Sequence, residues 1–277
     1  MRTAAVLWRS AHPGPTLVVS AIVAALGVAA GLDAARLAVL TAAVLCGQLS
    51  IGLSNDAIDA PRDRANSRRD KPLARPGAPI RAAWTAAFAT AGLAVVLSAV
   101  LGWPVTAAHI VFIGCGWAYN AALKSTPWSV ACFVVGFGVV PSLAPLALPD
   151  PAVAPAWAWI AGAALGVAVH FSNVLPDLED DARTGVRGLP HRLGRRLSTV
   201  MAFATLLLGA GAALVGSAVQ EGRVAPVTWT VAGAVAILVV GGAGAALVRA
   251  PDRMSFRIVM LAGLLLAVQL VIGTWAR

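Results

Sequence analysis

The stretch SNDAIDAPRD at residues 54–63 closes a long apolar run, and a related stretch, SNVLPDLEDD, closes another at residues 172–181. In both stretches an asparagine follows a serine, and aspartates stand four and eight positions after the asparagine. The matching residues are Asn55, Asp59 and Asp63 in the first copy and Asn173, Asp177 and Asp181 in the second. Two parallel halves of four helices, with a ninth helix appended, would place the two copies face to face about a pseudo-two-fold axis.

The composition around these copies is that of a membrane protein. Of 277 residues, 59% are hydrophobic and 12% are charged, whereas roughly a quarter of a typical soluble domain is charged. Residues 1–13 are a short Arg-bearing stretch without a signal-cleavage pattern, so we expect the first span to be retained. The net charge of +9 lies in short loops, which favours membrane topology over nucleic-acid binding as its explanation. Three cysteines in apolar sequence, Cys46, Cys115 and Cys132, show no metal-ligand spacing and are predicted to be small buried side chains.

The apolar runs predict an all-α, polytopic bundle of nine transmembrane helices in a single domain, residues 1–277. A membrane-spanning helix needs about 20 largely apolar residues, and nine segments meet that requirement. With the N-terminus in the cytoplasm, eighteen of the 21 Lys and Arg residues fall on the inner side, as the positive-inside rule expects. The C-terminus then lies outside, and both aspartate motifs belong to cytoplasmic cap loops at 57–78 and 176–196. The predicted spans are 14–30, 34–56, 79–101, 104–123, 127–148, 155–175, 197–219, 225–248 and 254–275.

The spacing of the acids indicates a divalent cation. Steps of four residues along a helix keep the polar side chains on one stripe, yet carboxylates repel one another there and oppose the dipole of a helix C-terminus. Oxygen ligands without interleaved His or Cys favour Mg²⁺, or Mn²⁺, over zinc. Since Mg²⁺ is usually held by a few carboxylates together with substrate phosphates, two opposed clusters predict a diphosphate clamp. Basic residues for phosphate oxygens follow each copy: Arg62, Arg64, Arg68, Arg69 and Lys71 after the first, and Arg183, Arg187, Arg192, Arg195 and Arg196 after the second.

At these residues the chain resembles the UbiA superfamily of intramembrane prenyltransferases. The first family motif, N-D-x-x-D-x-x-x-D, is matched by Asn55, Asp56, Asp59 and Asp63, with a Lys-Pro pair at residues 71–72 before the next helix. The second motif, D-x-x-x-D, is matched by Asp177 and Asp181, and the sequence at 185–194 looks like the loop that follows it. A third marker is Tyr119-Asn120-x-x-x-Lys124. With nine spans, the resemblance covers essentially the whole chain.

The resemblance implies a central cavity in the bundle, capped on the cytoplasmic side, and Mg-dependent transfer of a prenyl group. The donor would be an isoprenoid diphosphate, the acceptor an aromatic or other small lipophilic molecule in the membrane, and the by-product pyrophosphate. The acids implied to organise the metal are Asp56, Asp59, Asp63, Asp177 and Asp181, of which the last four are also the expected catalytic residues. The expected substrate-binding residues are Asn55, Arg62, Arg69, Lys71, Tyr119, Lys124, His170, Asn173 and Arg187.

Two histidines lie within predicted spans. His170 precedes Asn173 and Asp177 by three and seven residues, so it shares their helix face. It either lines the acceptor pocket, or carries the proton that the acceptor loses, or is a neutral structural histidine. His109 has the same alternatives with less reason for a functional role.

Other readings stay open beside transfer. A terpene cyclase of the same superfamily would ionise the same diphosphate, although such relatives look to lack the middle acid that Asp59 supplies. A divalent-cation or proton transporter would be expected to place its acids at the membrane midplane, whereas here they cluster at one face. Neither the acceptor nor the isoprenoid length is specified by a short motif, and the sequence indicates no required protein partner. Nineteen Arg against two Lys hint at a GC-rich, bacterial source, which predicts the bacterial cell membrane as the location.

Overall fold

The computed structural model describes residues 3–68, 70–178, 185–222, 224–248 and 253–275, and in these ranges the chain is helical, without strands. Four short 3₁₀ segments occur at Pro72–Ala74, Leu123–Ser125, Pro127–Val130 and Leu175–Asp177. The all-α prediction is therefore confirmed. The helices are α1 (Thr3–Ser10), α2 (Pro13–Ala29), α3 (Ala34–Ala65), α4 (Ile80–Leu101), α5 (Trp103–Ala121), α6 (Ala131–Leu146), α7 (Ala156–Val174), α8 (Leu189–Glu221), α9 (Pro226–Val248) and α10 (Arg253–Trp275).

Within the described ranges, nine helices, α2 to α10, correspond to the nine predicted spans. Seven of the helical segments are long and apolar enough to cross a membrane by themselves, and α1 and α2, bent by 63°, make an eighth as a pair. The remaining helix, α5, does not qualify on these grounds, because it carries His109, Tyr119 and Asn120 along with its apolar residues.

Two helices extend further than the sequence predicted. α3 starts where Asp33 caps it, accepting bonds from the amides of Ala35 and Arg36 at 2.9 Å, and it continues past Pro61 to Ala65. α8 begins at Leu189, eight residues early, and is kinked where Gly194 adopts φ 76°. Residues 57–65 and 189–196, predicted as parts of cap loops, are therefore helical. The acid motif of α3 lies inside the helix, and only Asp63 falls in its last turn.

The long helices form a closed ring around a central space. α2 packs on α3, α3 on α5, α5 on α6, α6 on α7, and α7 on α10, which returns to contact α2. α4 packs against α3 and α5, while α8 and α9 pack against α10. α3 with α4 and α7 with α8 are the two most extensive helix pairs, at equivalent places in the two predicted halves.

Small residues set the spacing of α6 and α7. A Cβ added at Gly162 would lie 2.4 Å from the carbonyl oxygen of Phe137, and one at Gly166 would lie 2.4 Å from that of Phe133. The two glycines are one helical turn apart, so the backbones touch along one edge, as small-residue motifs in membranes allow. This contact brings the α7 face that carries His170 and Asn173 close to α6.

Gly166→Ala should destabilise the protein, because backbone atoms of α6 and α7 would have to separate to admit the methyl group. Overpacking of this kind costs about 1–3 kcal/mol, so the thermal unfolding midpoint in detergent is expected to fall by several degrees. Gly233→Ala in α9 is the matched control, since a Cβ there meets no atom within 4 Å. Equal midpoints for the two variants would contradict this account of the helix contact.

Candidate functional site

A cavity of about 870 Å³ lies between the helices of the ring. Its polar lining comes from the second half of α3 and from segments packed on it, including Asn55, Asp59 and Asp63. The rest of the lining is mainly apolar and comes from α2, α5, α6, α7 and α10. Large apolar side chains in this part are Ile22, Phe112, Phe133, Phe137, Leu165 and Leu264.

Two aspartates of α3 are paired with lysines that arrive from other segments. The Oδ1 atom of Asp56 accepts hydrogen bonds from Nζ of Lys71 and from Nε2 of His12, both at 2.8 Å. Asp59 binds Nζ of Lys124 through Oδ1, and its Oδ2 accepts from Nη2 of Arg62 at 3.0 Å. Because both carboxylates are at least nine-tenths buried, these ion pairs supply the compensation that a buried charge requires.

Asp63 is the third acid of the motif and differs from the other two. Its side chain is buried, lines the cavity, and makes no hydrogen bond or ion pair with another described residue. A buried carboxylate in this state is costly unless it is protonated or binds a cation. With Asp59 it forms a pair of oxygen donors at the cavity wall, a ligand set that fits Mg²⁺ better than zinc.

The described side chains do not complete a metal site. No group of three or more His, Cys, Asp or Glu side chains with metal-binding geometry occurs among them. The expected partners from the second motif fall outside this set, since residue Asp181 and the side chain of Asp177 lie outside the described part of the chain, as does Arg69.

The backbone at the second motif differs from that at the first. α7 ends at Val174, a 3₁₀ turn, Leu175–Asp177, follows it, and the chain is α-helical again at Leu178. Pro176, which has no amide hydrogen to donate, lies in this turn. Because residue Asp181 and the side chain of Asp177 lie outside the described part of the chain, the stripe of three polar residues stays a prediction here. Asn173 does line the cavity, at the place equivalent to Asn55.

Asn120 fixes the relation between the two helices that carry the first motif and Lys124. Its amide nitrogen donates to the carbonyl oxygen of Ile51 at 2.9 Å and to Oγ of Ser54 at 3.0 Å. Its amide oxygen accepts from Nδ2 of Asn55, also at 3.0 Å. These bonds dock the end of α5 on α3, and the 3₁₀ turn that follows brings Lys124 to Asp59.

His170 lies in an aromatic cluster on the cavity wall. Its Nε2 is 3.1 Å from Oγ of Ser129, which also accepts the backbone amide of Leu189 at 3.0 Å. The rings of Phe133 and Tyr119 lie 4.7 and 5.7 Å from the imidazole centroid. Nδ1 of His170 is buried without a hydrogen-bond partner among the described residues. His170 thus joins α6, α7 and α8 beside the apolar part of the cavity.

Two predicted residues lie elsewhere. His109 is fully buried, its Nδ1 is 2.8 Å from Oγ of Ser98, and it is outside the cavity lining, so it joins α5 to α4. Arg187 is exposed, and its side chain is not part of the lining, although its neighbours Val186 and Gly188 are.

Two cavity residues, His12 and His191, were missed by the sequence analysis. His12 lies far from the motifs along the chain, and nothing in its local sequence marks it. Arg68 lines the cavity and forms two hydrogen bonds with Asp70, at 3.0 and 2.9 Å, which lower the pKa of that carboxyl group. His191 also lines the cavity, at the start of α8. Arg68 was among the basic residues that the sequence analysis named after the first motif.

The fold and the cavity define an integral membrane protein whose helical bundle encloses a site with acids and bases at one part and apolar walls elsewhere. The chain belongs to the UbiA prenyltransferase family, whose family model matches residues 15–261. A curated relative, lycopene elongase/hydratase of Haloferax volcanii, is 32% identical over 164 residues, which cover 56% of this chain. The match spans about half, 52%, of that relative's length.

Solved structures share the fold at low sequence identity. A UbiA homologue from Aeropyrum pernix K1 aligns with a TM-score of 0.75 and 15% identity over 94% of this chain and 98% of that one. Digeranylgeranylglyceryl phosphate synthase aligns with a TM-score of 0.73 and 14% identity over the full length of both chains. A homologue from Archaeoglobus fulgidus, bound to GPP and Mg²⁺, gives a TM-score of 0.69 and 14% identity over 98% of this chain and 100% of that one.

Asn120→Ala should lower stability, because it removes three hydrogen bonds between α5 and α3. Interhelical hydrogen bonds in membranes average about 0.6 kcal/mol each, so a loss on the order of 2 kcal/mol is expected, measured by thermal unfolding in detergent. Thr90→Ala is the control, since that hydroxyl bonds only carbonyls of its own helix. A Tm for Asn120→Ala as high as that of Thr90→Ala would show that this network does not dock the helices.

Proposed function

We propose that the protein transfers a prenyl group from an isoprenoid diphosphate to a lipophilic acceptor in the membrane and releases pyrophosphate. The observation that carries the proposal is one cavity that joins buried acids and lysines to an apolar space. A diphosphate with a hydrocarbon tail has the same division of charge. The Archaeoglobus homologue, whose structure is bound to GPP and Mg²⁺, supports this choice of donor.

The acids are proposed to hold the metal. Asp59 and Asp63, together with Asp177 and Asp181, are the residues that would bind Mg²⁺ and, through it, the diphosphate. Bound there, Mg²⁺ would offset the negative charge of the diphosphate and of the departing pyrophosphate.

The basic residues are proposed to bind phosphate oxygens directly. Lys71, Lys124 and Arg62 line the cavity and are paired with Asp56 or Asp59 in this structure. Substrate would bind by exchange: phosphate oxygens replace carboxylate oxygens around each cation, so that no buried charge loses its partner. Asn55, Asn173 and Arg69 are proposed to contribute further donors at the same end, whereas Arg187 lies outside the lining.

The reaction follows from this arrangement of charge. The allylic C–O bond breaks, its electron pair leaves with the pyrophosphate, and the carbocation forms a bond to a nucleophilic atom of the acceptor, which then loses a proton. The apolar walls hold the prenyl chain and exclude water, which would otherwise capture the cation. Tyr119 and His170 are proposed to line the acceptor side. Nδ1 of His170, which has no hydrogen-bond partner among the described residues, is proposed to accept that proton. The similarity to a lycopene elongase/hydratase supports an acceptor as apolar as a polyene.

Purified protein in detergent, given radiolabelled geranyl, farnesyl or geranylgeranyl diphosphate, Mg²⁺ and a panel of acceptors, should release pyrophosphate and form a prenylated product. Asp59→Asn and Asp63→Asn should each lower the rate by about a hundredfold or more, since charge on the leaving group is then poorly compensated. Asp150→Asn is the matched control, because that aspartate is exposed in the loop between α6 and α7.

Undiminished release of pyrophosphate by both the Asp59→Asn and the Asp63→Asn variants would contradict the proposal that these acids hold the metal. A cyclised hydrocarbon formed without acceptor would identify a cyclase. Metal-dependent flux in liposomes, with no release of pyrophosphate, would identify a transporter.

We propose that the acid-lined end faces the cytoplasm, with the N-terminus inside and the C-terminus outside. In a variant with alanine at the three cysteine positions, Asp150→Cys should react with a membrane-impermeant maleimide on intact cells. Asp70→Cys should react only after permeabilisation, because the basic segment around it is predicted to stay inside. The opposite labelling pattern would invert the topology.

A further inference from the structure

The first two helices meet the acid motif through a sharp elbow at residues 10–13. α1 and α2 are bent by 63°, and His12 at the bend has φ 51°, ψ 66°, in the left-handed region. Non-glycine residues rarely adopt this conformation, because it brings Cβ too close to the following carbonyl oxygen. Such a conformation persists only when its surroundings determine it.

Two contacts with α3 determine it. A Cβ at Gly52 would lie 2.4 Å from the carbonyl oxygen of Ala11, so the backbone of the elbow sits directly on this glycine. Asp56, one helical turn further along α3, accepts a hydrogen bond from Nε2 of His12 at 2.8 Å. Gly52 and Asp56 share one face of α3, and that face docks the elbow.

His12 donates its hydrogen bond to the same oxygen, Oδ1 of Asp56, that binds Lys71. Asp56 is 2% exposed and is not part of the cavity lining, while His12 and Lys71 both are. The Asp56 carboxylate therefore lies behind the residues that line the cavity, and its orientation determines the position of Nζ of Lys71. Nε2 of His12 shares Oδ1 and limits how strongly that oxygen holds the lysine.

We propose that His12 is a positioning residue for the diphosphate site, acting through Asp56 on Lys71. The inference rests on the proposed function and adds to it a residue of the N-terminal elbow, outside the acid motifs. The same contact connects the acid-lined end of the cavity to α2, whose residues Thr16, Val19 and Ile22 form part of the cavity wall.

His12→Ala should raise KM for the isoprenoid diphosphate about tenfold while kcat changes less than about threefold. Without His12, the carboxylate binds Lys71 alone and withholds it from phosphate, an effect of the size of one charge-assisted hydrogen bond. Titration calorimetry with Mg²⁺ and inorganic pyrophosphate should show the same loss of affinity without turnover. An unchanged KM together with an unchanged pyrophosphate affinity would overturn the proposal.

Glutamine and asparagine separate the hydrogen bond from the backbone conformation. In His12→Gln the amide nitrogen reaches the position of Nε2, so KM should return to within about threefold of the wild-type value. His12→Asn tolerates the left-handed conformation well, but its amide is too short to reach Asp56, so KM should stay raised. Rescue by asparagine and not by glutamine would assign His12 a purely conformational role and overturn the proposal.

Gly52→Ala should disturb the hydrogen bond between His12 and Asp56 through a change in α3. The added methyl group must push the elbow away, so KM for the diphosphate should rise as in His12→Ala. Gly92→Ala in α4 is the matched control, since a Cβ there meets no atom within 4 Å. A normal KM for Gly52→Ala in folded protein would overturn the role given to the elbow.

A double-mutant cycle tests the route through Lys71. If His12 acts by positioning the lysine, His12→Ala should weaken pyrophosphate binding by less than about twofold in a Lys71→Met background. A full tenfold effect in that background would overturn the proposal. Failure of the proposed function is a different result: the wild-type protein would then neither release pyrophosphate from prenyl donors nor bind pyrophosphate with Mg²⁺.

Discussion

The pairing of buried carboxylates on α3 with lysines from other segments is the constraint on which the acid-lined end of the cavity depends. Charges removed from water need compensation close by, and in this protein the compensation for Asp56 and Asp59 comes from Lys71 and Lys124. Each lysine sits at a 3₁₀ turn, Pro72–Ala74 or Leu123–Ser125, just beyond the end of a helix. The ion pairs therefore hold in place the two connections that close this end of the cavity.

The same ion pairs neutralise two acids of the first motif inside α3, and the helix runs through the motif to Ala65. The backbone at the second motif is different. α7 ends at Val174, and a 3₁₀ turn that contains Pro176 follows it before the chain becomes α-helical again at Leu178. The two stretches thus share the position of an asparagine, Asn55 or Asn173, and differ in the backbone that follows it.

Much of the architecture was predictable because membrane spans depend on length and hydropathy, which a sequence displays directly. The nine spans agree with helices α2 to α10. The ends of α3 and α8 were misjudged, since charged residues near a helix end look like loop sequence, although helices tolerate them. Contacts between distant segments could not be predicted. No periodicity links His12 to Asp56, and the sequence gives Asn120 only as part of the motif that also contains Tyr119 and Lys124.

The structure also changes the physical reading of the acid cluster. From spacing alone, the carboxylates of the first motif require a multivalent cation to offset their repulsion. In the folded chain Asp56 and Asp59 are already neutralised by lysines, whereas the side chain of Asp63 has no hydrogen bond or ion pair with a described residue. On the proposed function, a diphosphate that arrives with Mg²⁺ brings both kinds of charge, so its phosphates would bind the lysines while the metal binds the carboxylates. Either one alone would leave the opposite set of buried charges uncompensated.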